Sequence, residues 1–236
     1  MFFTGTACQT SGLLGYLGRD YDNLITQDLI CHGVPSPLAW RKYITLYQQR
    51  AKSKVKHIFF RDKKFGWHNW HVHFQFQNGV SYRRNQREDM MVSAFLTGSC
   101  SRKSCYNCPF KQKYRLADFT LADFWGIEKI APELDDDKGI SSIYINSPKA
   151  QRVLESISDW VFLREMDLDT AVAHNLAMVE SERLTRNRDG FLRDLRKKSF
   201  DVVYGKYIEE ASLSRQIKWS LRRVLGDQCY EKLLRK

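Results

Sequence analysis

The chain has 236 residues, 43% of them hydrophobic and 13% aromatic, and a formal net charge of +11. That length and composition support one large domain or two small ones around a hydrophobic core, and they exclude a disordered polymer. There is no secretory signal and no apolar run near the ~20 residues a membrane helix needs, so the expected setting is cytoplasmic, with attachment to a membrane surface as a variant.

Met1-Phe2-Phe3-Thr4 reads as a strand that runs directly into Gly5-Thr6-Ala7-Cys8-Gln9. Glycine at a strand end lets the backbone approach a ligand closely, and Ser11 to Leu17 is apolar enough for a short helix. A domain rarely opens so close to a ligand-binding loop, which suggests a piece of a longer chain. A second strand over Leu24 to Ile30 ends in Cys31-His32-Gly33-Val34-Pro35-Ser36-Pro37. Ser36 is placed to cap a helix with Pro37 at its first position, running to about Arg50. Strand, loop and helix repeated twice predict a small parallel α/β unit with ligands beyond the carboxyl ends of its strands, and Cys8 and Cys31 near each other there.

Val55 to Arg61 and Trp67 to Gln77 are β-rich, and Asn78-Gly79 is a hairpin turn into Val80 to Arg84. Between the first two lies a basic turn with two aromatics, Arg61-Asp62-Lys63-Lys64-Phe65-Gly66-Trp67. A helix over Glu88 to Thr97 leads to Ser104-Cys105-Tyr106-Asn107-Cys108-Pro109-Phe110, and Asp118 to Leu121 is a short strand entering an Asp-Phe-Trp-Gly corner at Asp123 to Gly126. After the acidic turn Glu133 to Gly139 comes a strand, Ile140 to Ile145, and Ser147-Pro148 opens a helix to about Ser158. The fold class is therefore α/β or α+β, with a β-hairpin region. A boundary near Asp167 separates residues 1–166 from a basic, mainly helical extension, 167–236.

That extension is where the charge collects. From Arg183 onward there are 15 lysines and arginines against 7 acidic residues. Leu213, Ile217, Leu221 and Val224 draw one apolar stripe along a helix, with Arg215, Lys218, Arg222 and Arg223 on its other faces. Such a helix either covers its own domain or docks on an acidic partner or an anionic membrane surface; nucleic acid is not the expected partner.

Six cysteines are too few for a disulfide scaffold in a chain this long, and clustered cysteines in a reducing compartment more often hold metal. Cys8, Cys31, Cys105 and Cys108 each lie in a Gly- or Pro-containing loop, and the last two form C-x-x-C, whose tight turn aims both sulfurs at one point. Four thiolates close a tetrahedral zinc site or supply the corners of a 4Fe–4S cluster. Cys100 could substitute but lacks the loop signature, and Cys229 reads as structural. His71 and His73 share a strand face as zinc ligands do, but no third partner is evident and exposed strand residues are the plainer reading. His32 either tunes a bound cofactor or ties its loop by a hydrogen bond. Asp118 and Asp123, at opposite ends of one strand, read as backbone or turn partners rather than as a catalytic pair.

Taken together, Phe3 to Gln9, Asp28 to Ser36, Phe60 to Trp67, Ser104 to Cys108, Ala117 to Gly126 and Asp136-Asp137-Lys138-Gly139 resemble, in order, the coenzyme F-420 hydrogenase/dehydrogenase beta subunit family, specifically its C-terminal domain. The resemblance covers about residues 1–150. It implies an oxidoreductase that passes electrons between a 4Fe–4S cluster and FAD, with Cys8, Cys31, Cys105 and Cys108 as cluster ligands; some relatives pass electrons to F-420, and many bacterial ones, including some encoded among polysaccharide-biosynthesis genes, have no established acceptor. The loops with Gly5, Thr6, Gln9, His32 and Gly33 would offer backbone N–H groups to the flavin, and Lys63, Lys64 and Lys138 would add charge for its pyrophosphate. Ala7 and Ala122 stand where the family usually has proline and often glycine. The ferredoxin-like segment and α/β portion that normally precede the first loop are not in this sequence, so the flavin site is expected to be incomplete and to need a redox partner or such a segment. The rival is a zinc-stabilised, non-enzymatic binding module for an acidic partner or nucleic acid. Against it, cysteine spacings of 23 and then 74 match no zinc finger.

Overall fold

The computed structural model describes residues 1–209. The apolar stripe at Leu213, Ile217, Leu221 and Val224 and Cys229 lie outside the described residues. Among the described residues no helix is long and apolar enough to cross a membrane. The architecture is α/β, and the chain forms two compact units: Met1–Val34, Lys63–Trp70 and Arg102–Arg183 make the first, and Pro35–Asp62, His71–Ser101 and the stretch from Leu184 make the second.

The first unit is built on a four-stranded sheet in the order β1 (Phe2–Thr4), β2 (Ile25–Leu29), β6 (Phe119–Asp123), β7 (Ser141–Ile145). β1, β2 and β6 are parallel and β7 is antiparallel to β6, with Phe2 opposite Ile25 and Gln27 opposite Phe119. The parallel pairing sends the segments after β1 and β2 out of the same sheet end, as expected for a strand–loop–helix repeat. Helix α1 (Ala7–Leu17) begins earlier than the apolar pattern suggested: Thr6 caps it, and Gln9 Oε1 accepts hydrogen bonds from Thr6 N at 2.9 Å and Thr6 Oγ1 at 3.1 Å. Cys8 is therefore in the first helical turn and not in a loop. Asp118 is buried at the start of β6, accepting from Thr26 N at 2.8 Å, Thr26 Oγ1 at 2.9 Å and Ser147 Oγ at 2.5 Å. It is a structural partner, as read from the sequence.

Trp67, expected to open a strand, instead belongs to the core of this unit. It packs with Phe124, Ile127, Ala131 and Ala171 and stacks on Trp125 with ring centres 5.0 Å apart. Its segment is held by the acidic turn: Asp137 O accepts from Trp67 N at 2.7 Å, and Asp137 Oδ1 accepts from His68 N at 2.8 Å. Gly139 is required here, since its φ is +98° and a Cβ would lie 2.7 Å from the Trp67 ring. Two short helices, α4 (Ile127–Ile130) and α5 (Pro148–Ser156), and α6 (Leu168–Ala173) complete the unit, with Ser147 and Asp167 as side-chain caps of α5 and α6.

The second unit has an antiparallel sheet, β3 (Val55–Asp62), β4 (His71–Phe76) and β5 (Ser81–Asn85), with α2 (Pro37–Ala51), α3 (Met90–Leu96), α7 (Arg188–Leu195) and α8 (Phe200–Tyr204). Ser36 Oγ accepts from Leu38 N at 3.3 Å, and Pro37 starts α2 as predicted. The Asn78-Gly79 turn closes β4 onto β5, with Gly79 at φ +84°. His73 is buried rather than exposed. It lies under Phe59 with ring centres 5.6 Å apart, and its Nδ1 is 3.0 Å from Asp62 Oδ2 and 3.0 Å from an Arg83 guanidinium nitrogen. A bulge between Phe59 and Asp62 brings that carboxylate to the histidine, which marks His73 as a structural core residue.

Candidate functional site

All four cysteines of the sequence pattern fall in the first unit. Cys8 is in the first turn of α1, Cys31 follows β2, and Cys105 lies in a single 3-10 turn over Lys103–Asn107 with Cys108 just after it. All are free thiols; Cys8 is exposed, and Cys31, Cys105 and Cys108 are partly buried. Cys100, the substitute considered from sequence, is fully buried in the second unit.

Cys31 lies near enough to Cys105 and Cys8 for their charges to act on it. Burial pushes the Cys31 thiol above its ordinary value; Lys111 opposes that, while Cys105 and then Cys8 add to it. Cys8 Sγ is 3.1 Å from Thr6 Oγ1, and the Cys31 thiol donates to Gly33 O at 3.6 Å. Two amides of the C-x-x-C turn are already used: Cys105 N donates to Arg102 O at 3.0 Å and Cys108 N to Ser181 Oγ at 3.0 Å. The arrangement is nonetheless open. Among the described residues, the group of three or more ligand-type side chains whose donor atoms lie within 4.8 Å of one another is His68, Glu128 and Asp135, and no cysteine belongs to it. Four thiolates on one zinc ion at ~2.3 Å would stand about 3.8 Å apart. Four thiolates are equally the donor set of a multi-iron cluster, whose ligands each sit on a different iron, so the cysteines fit either group by their chemistry.

Three residues that the sequence reading passed over brace this site. Arg115 and Asp28 form a buried ion pair at 3.2 Å; Thr120 Oγ1 donates to the same carboxylate at 2.6 Å, and burial is the main reason the Asp28 carboxyl is held above its usual range. The same guanidinium donates to Phe110 O at 2.6 Å and Leu29 O at 3.1 Å, fastening the tail of the C-x-x-C loop to the end of β2. Lys111 Nζ donates to the Cys31 carbonyl and, at 2.5 Å, to the Ala177 carbonyl. Burial lowers its ammonium pKa, while Cys31, Cys108 and Cys105 pull it back up.

Glu182 is the third. Its side chain is 3% exposed, its Oε1 is 3.6 Å from His32 Nε2, and neither carboxylate oxygen has a hydrogen-bond partner among the described residues. It also explains Gly33, where a Cβ would meet Glu182 Oε2 at 2.8 Å and Cys105 Cβ at 3.5 Å. A buried carboxylate without a hydrogen bond beside the cysteine loops is costly on its own, and it is the kind of orphan that a bound group satisfies.

The structure accounts for the other residues named from sequence as follows. Gly5 N donates to Gln27 O at 3.1 Å, and Thr6 and Gln9 are engaged with each other at the start of α1. Lys63 Nζ donates to Lys138 O at 2.7 Å, and Lys138 Nζ is 3.0 Å from Asp136 Oδ2. These two lysines are thus brought together at the acidic turn. Lys64 lies over the Phe65 ring, 5.7 Å from its centre. Thr6-Ala7-Cys8-Gln9 carried a readable signal, the Thr-x-x-Gln capping pattern. Lys111, Arg115 and Glu182 carried none, since their partners are remote in sequence.

Residues 1–171 match the family described as the C terminus of the coenzyme F420 hydrogenase/dehydrogenase beta subunit. A search of curated proteins returned no match. Among solved structures, the chain is similar to a chain of the F420-reducing [NiFe] hydrogenase complex from Methanosarcina barkeri, at 14% identity and a TM-score of 0.39, over 89% of this chain and 60% of that one. The chain thus spans about 60% of the length of that hydrogenase chain.

Proposed function

The chain belongs to the family of C-terminal domains of coenzyme F420 hydrogenase/dehydrogenase beta subunits, and from that premise we propose that it is the cluster-bearing part of an oxidoreductase that exchanges electrons between a 4Fe–4S group and FAD. The observation that supports the proposal is the gathering of Cys8, Cys31, Cys105 and Cys108 in one unit, with the Lys111 ammonium bonded to the Cys31 carbonyl. When bound, the cluster would supply one-electron chemistry and the flavin the capacity to gather two electrons. Cys8, Cys31, Cys105 and Cys108 would be its ligands.

The chain's own residues supply the rest. Arg115 fixes the C-x-x-C loop against the end of β2, and the Gly33 backbone lets Glu182 come close to Cys105. Loop backbone at Gly5, Thr6, Gln9, His32 and Gly33 would border the flavin, and Lys63, Lys64 and Lys138 would face its pyrophosphate. The donor or acceptor on the other side is a separate redox protein or a ferredoxin-like segment.

The test is electron transfer itself. The anaerobically reconstituted chain, reduced and mixed with FAD, should bleach the flavin absorbance, and Cys105→Ala should remove that reaction while Cys100→Ala keeps it. A rate that is the same for the intact chain and Cys105→Ala would overturn the proposal.

A further inference from the structure

Lys111 sits three residues beyond Cys108 and is partly buried where the segment after β2 meets the C-x-x-C turn. An ammonium has three N–H donors and no acceptor. Two are used, on the carbonyls of Cys31 and Ala177. Among the described residues no carboxylate pairs with Lys111, while the thiols of Cys31, Cys108 and Cys105 are all near enough to interact with its charge. Its bond to the Cys31 carbonyl and its place three residues after Cys108 put the remaining N–H beside the cysteine loops.

We propose that Lys111 is a positioning residue that also sets the reduction potential of the group held by the four cysteines, by donating its third N–H to one of that group's sulfurs. This rests on the reading of those cysteines as cluster ligands. A thiolate-bound cluster is net negative and becomes more so on gaining an electron, so an adjacent ammonium favours the reduced form. Hydrogen bonds to sulfur and local net charge are the two levers a protein has over such a potential without changing ligands. A lysine that only stapled two carbonyls would affect how much cluster is retained and leave the potential alone.

The experiment is a redox titration of the reconstituted chain, followed by visible absorbance and electron paramagnetic resonance, for the native sequence, Lys111→Met and Lys111→Arg. Lys111→Met should lower the reduced-to-oxidised ratio at a fixed potential at least tenfold, about 59 mV for one electron. Lys111→Arg, which keeps charge and donors, should stay within threefold. A Lys111→Met protein that keeps its iron with the ratio unchanged within threefold overturns the proposal. If Lys111→Met takes up no iron, Lys111→Gln, which keeps N–H donors and loses the charge, decides: a ratio lowered at least tenfold supports the proposal, and a ratio within threefold of native, or loss of iron from a variant with native circular dichroism, overturns it. Failure of the native chain to take up any cluster would instead count against the parent reading, and the inference falls with it.

Discussion

Asp89 and Glu182 are both buried carboxylates, one in each unit, and the protein serves them in opposite ways. Asp89 is fully buried and receives four donors: Met91 N at 2.9 Å and Val92 N at 3.0 Å on one oxygen, Tyr43 and Tyr82 hydroxyls at 2.5 and 2.9 Å on the other. It caps α3 and organises an aromatic core in which Tyr47 in turn donates to Tyr82 at 2.9 Å and Tyr43 meets Phe74 and Phe200 edge-on. Burial, then the Asp89 charge, pushes the Tyr43 and Tyr82 hydroxyls far above their ordinary range. Glu182 lies beside the cysteine loops with no hydrogen bond to either oxygen and His32 at 3.6 Å. A satisfied network specifies structure, whereas an unsatisfied one costs stability until something binds. Among the described residues, the second unit's carboxylate is thus satisfied by its own neighbours and the first unit's is not.

The largest break in that contrast should come from Asp89→Ala. It removes a helix cap worth ~1 kcal/mol and leaves two buried hydroxyls without their acceptor at ~1–3 kcal/mol each, so the expected loss is about 3–7 kcal/mol. Urea unfolding measures it, and a loss below ~1 kcal/mol would mean the network is not what holds that core.

Asp28 sharpens the comparison from inside the first unit, because it is a buried carboxylate that does have partners. Its folded-state pKa is raised, chiefly by burial, so as pH climbs through the interval above the ordinary carboxylate value the unfolded chain releases this proton first. The stability it contributes is present at the acid end of that interval and is lost as pH rises toward the folded-state value, with a slope of at most ~1.4 kcal/mol per pH unit. Unfolding series across that interval should show the descent in the native chain and its absence in Asp28→Asn; equal slopes would contradict the assignment.

The smallest effect is expected at Glu182. Replacing a buried carboxylate that accepts no hydrogen bond among the described residues, and has only His32 at 3.6 Å, with the isosteric amide breaks no hydrogen bond, so Glu182→Gln in the metal-free chain should be neutral or stabilising by about 1 kcal/mol. A loss of ~2 kcal/mol or more would place Glu182 in the same class as Asp89 and remove the contrast.

Much of this was legible in the sequence, where the signal is local. Ser36-Pro37 announced α2, Asn78-Gly79 announced the β4–β5 hairpin, and the strand-then-cysteine order at Cys8 and Cys31 announced neighbouring parallel strands. The start of α1 was missed although Thr6 and Gln9 encode it, because apolar periodicity begins only after the cap. Trp67 read as a strand residue since alternation says nothing of an acidic turn arriving from Asp137. His73 looked exposed because its cover, Phe59, and its counter-charge, Asp62, come from the next strand through a bulge. Lys111 and Glu182 were silent for the same reason: Lys111 reaches back 80 positions to the Cys31 carbonyl, and Glu182 meets Gly33 across the unit. The ligand types were visible, and the residues that brace them were not.

The central claim is that the four cysteines hold a multi-iron cluster and not a single ion, and metal stoichiometry tests it most directly. The chain would be reconstituted anaerobically with iron, sulfide and zinc all present, then analysed for metal and acid-labile sulfide beside Cys105→Ala. The account predicts about four irons and little zinc per native chain, with the iron lost in Cys105→Ala. One zinc per chain without iron, lost in the same variant, would contradict it.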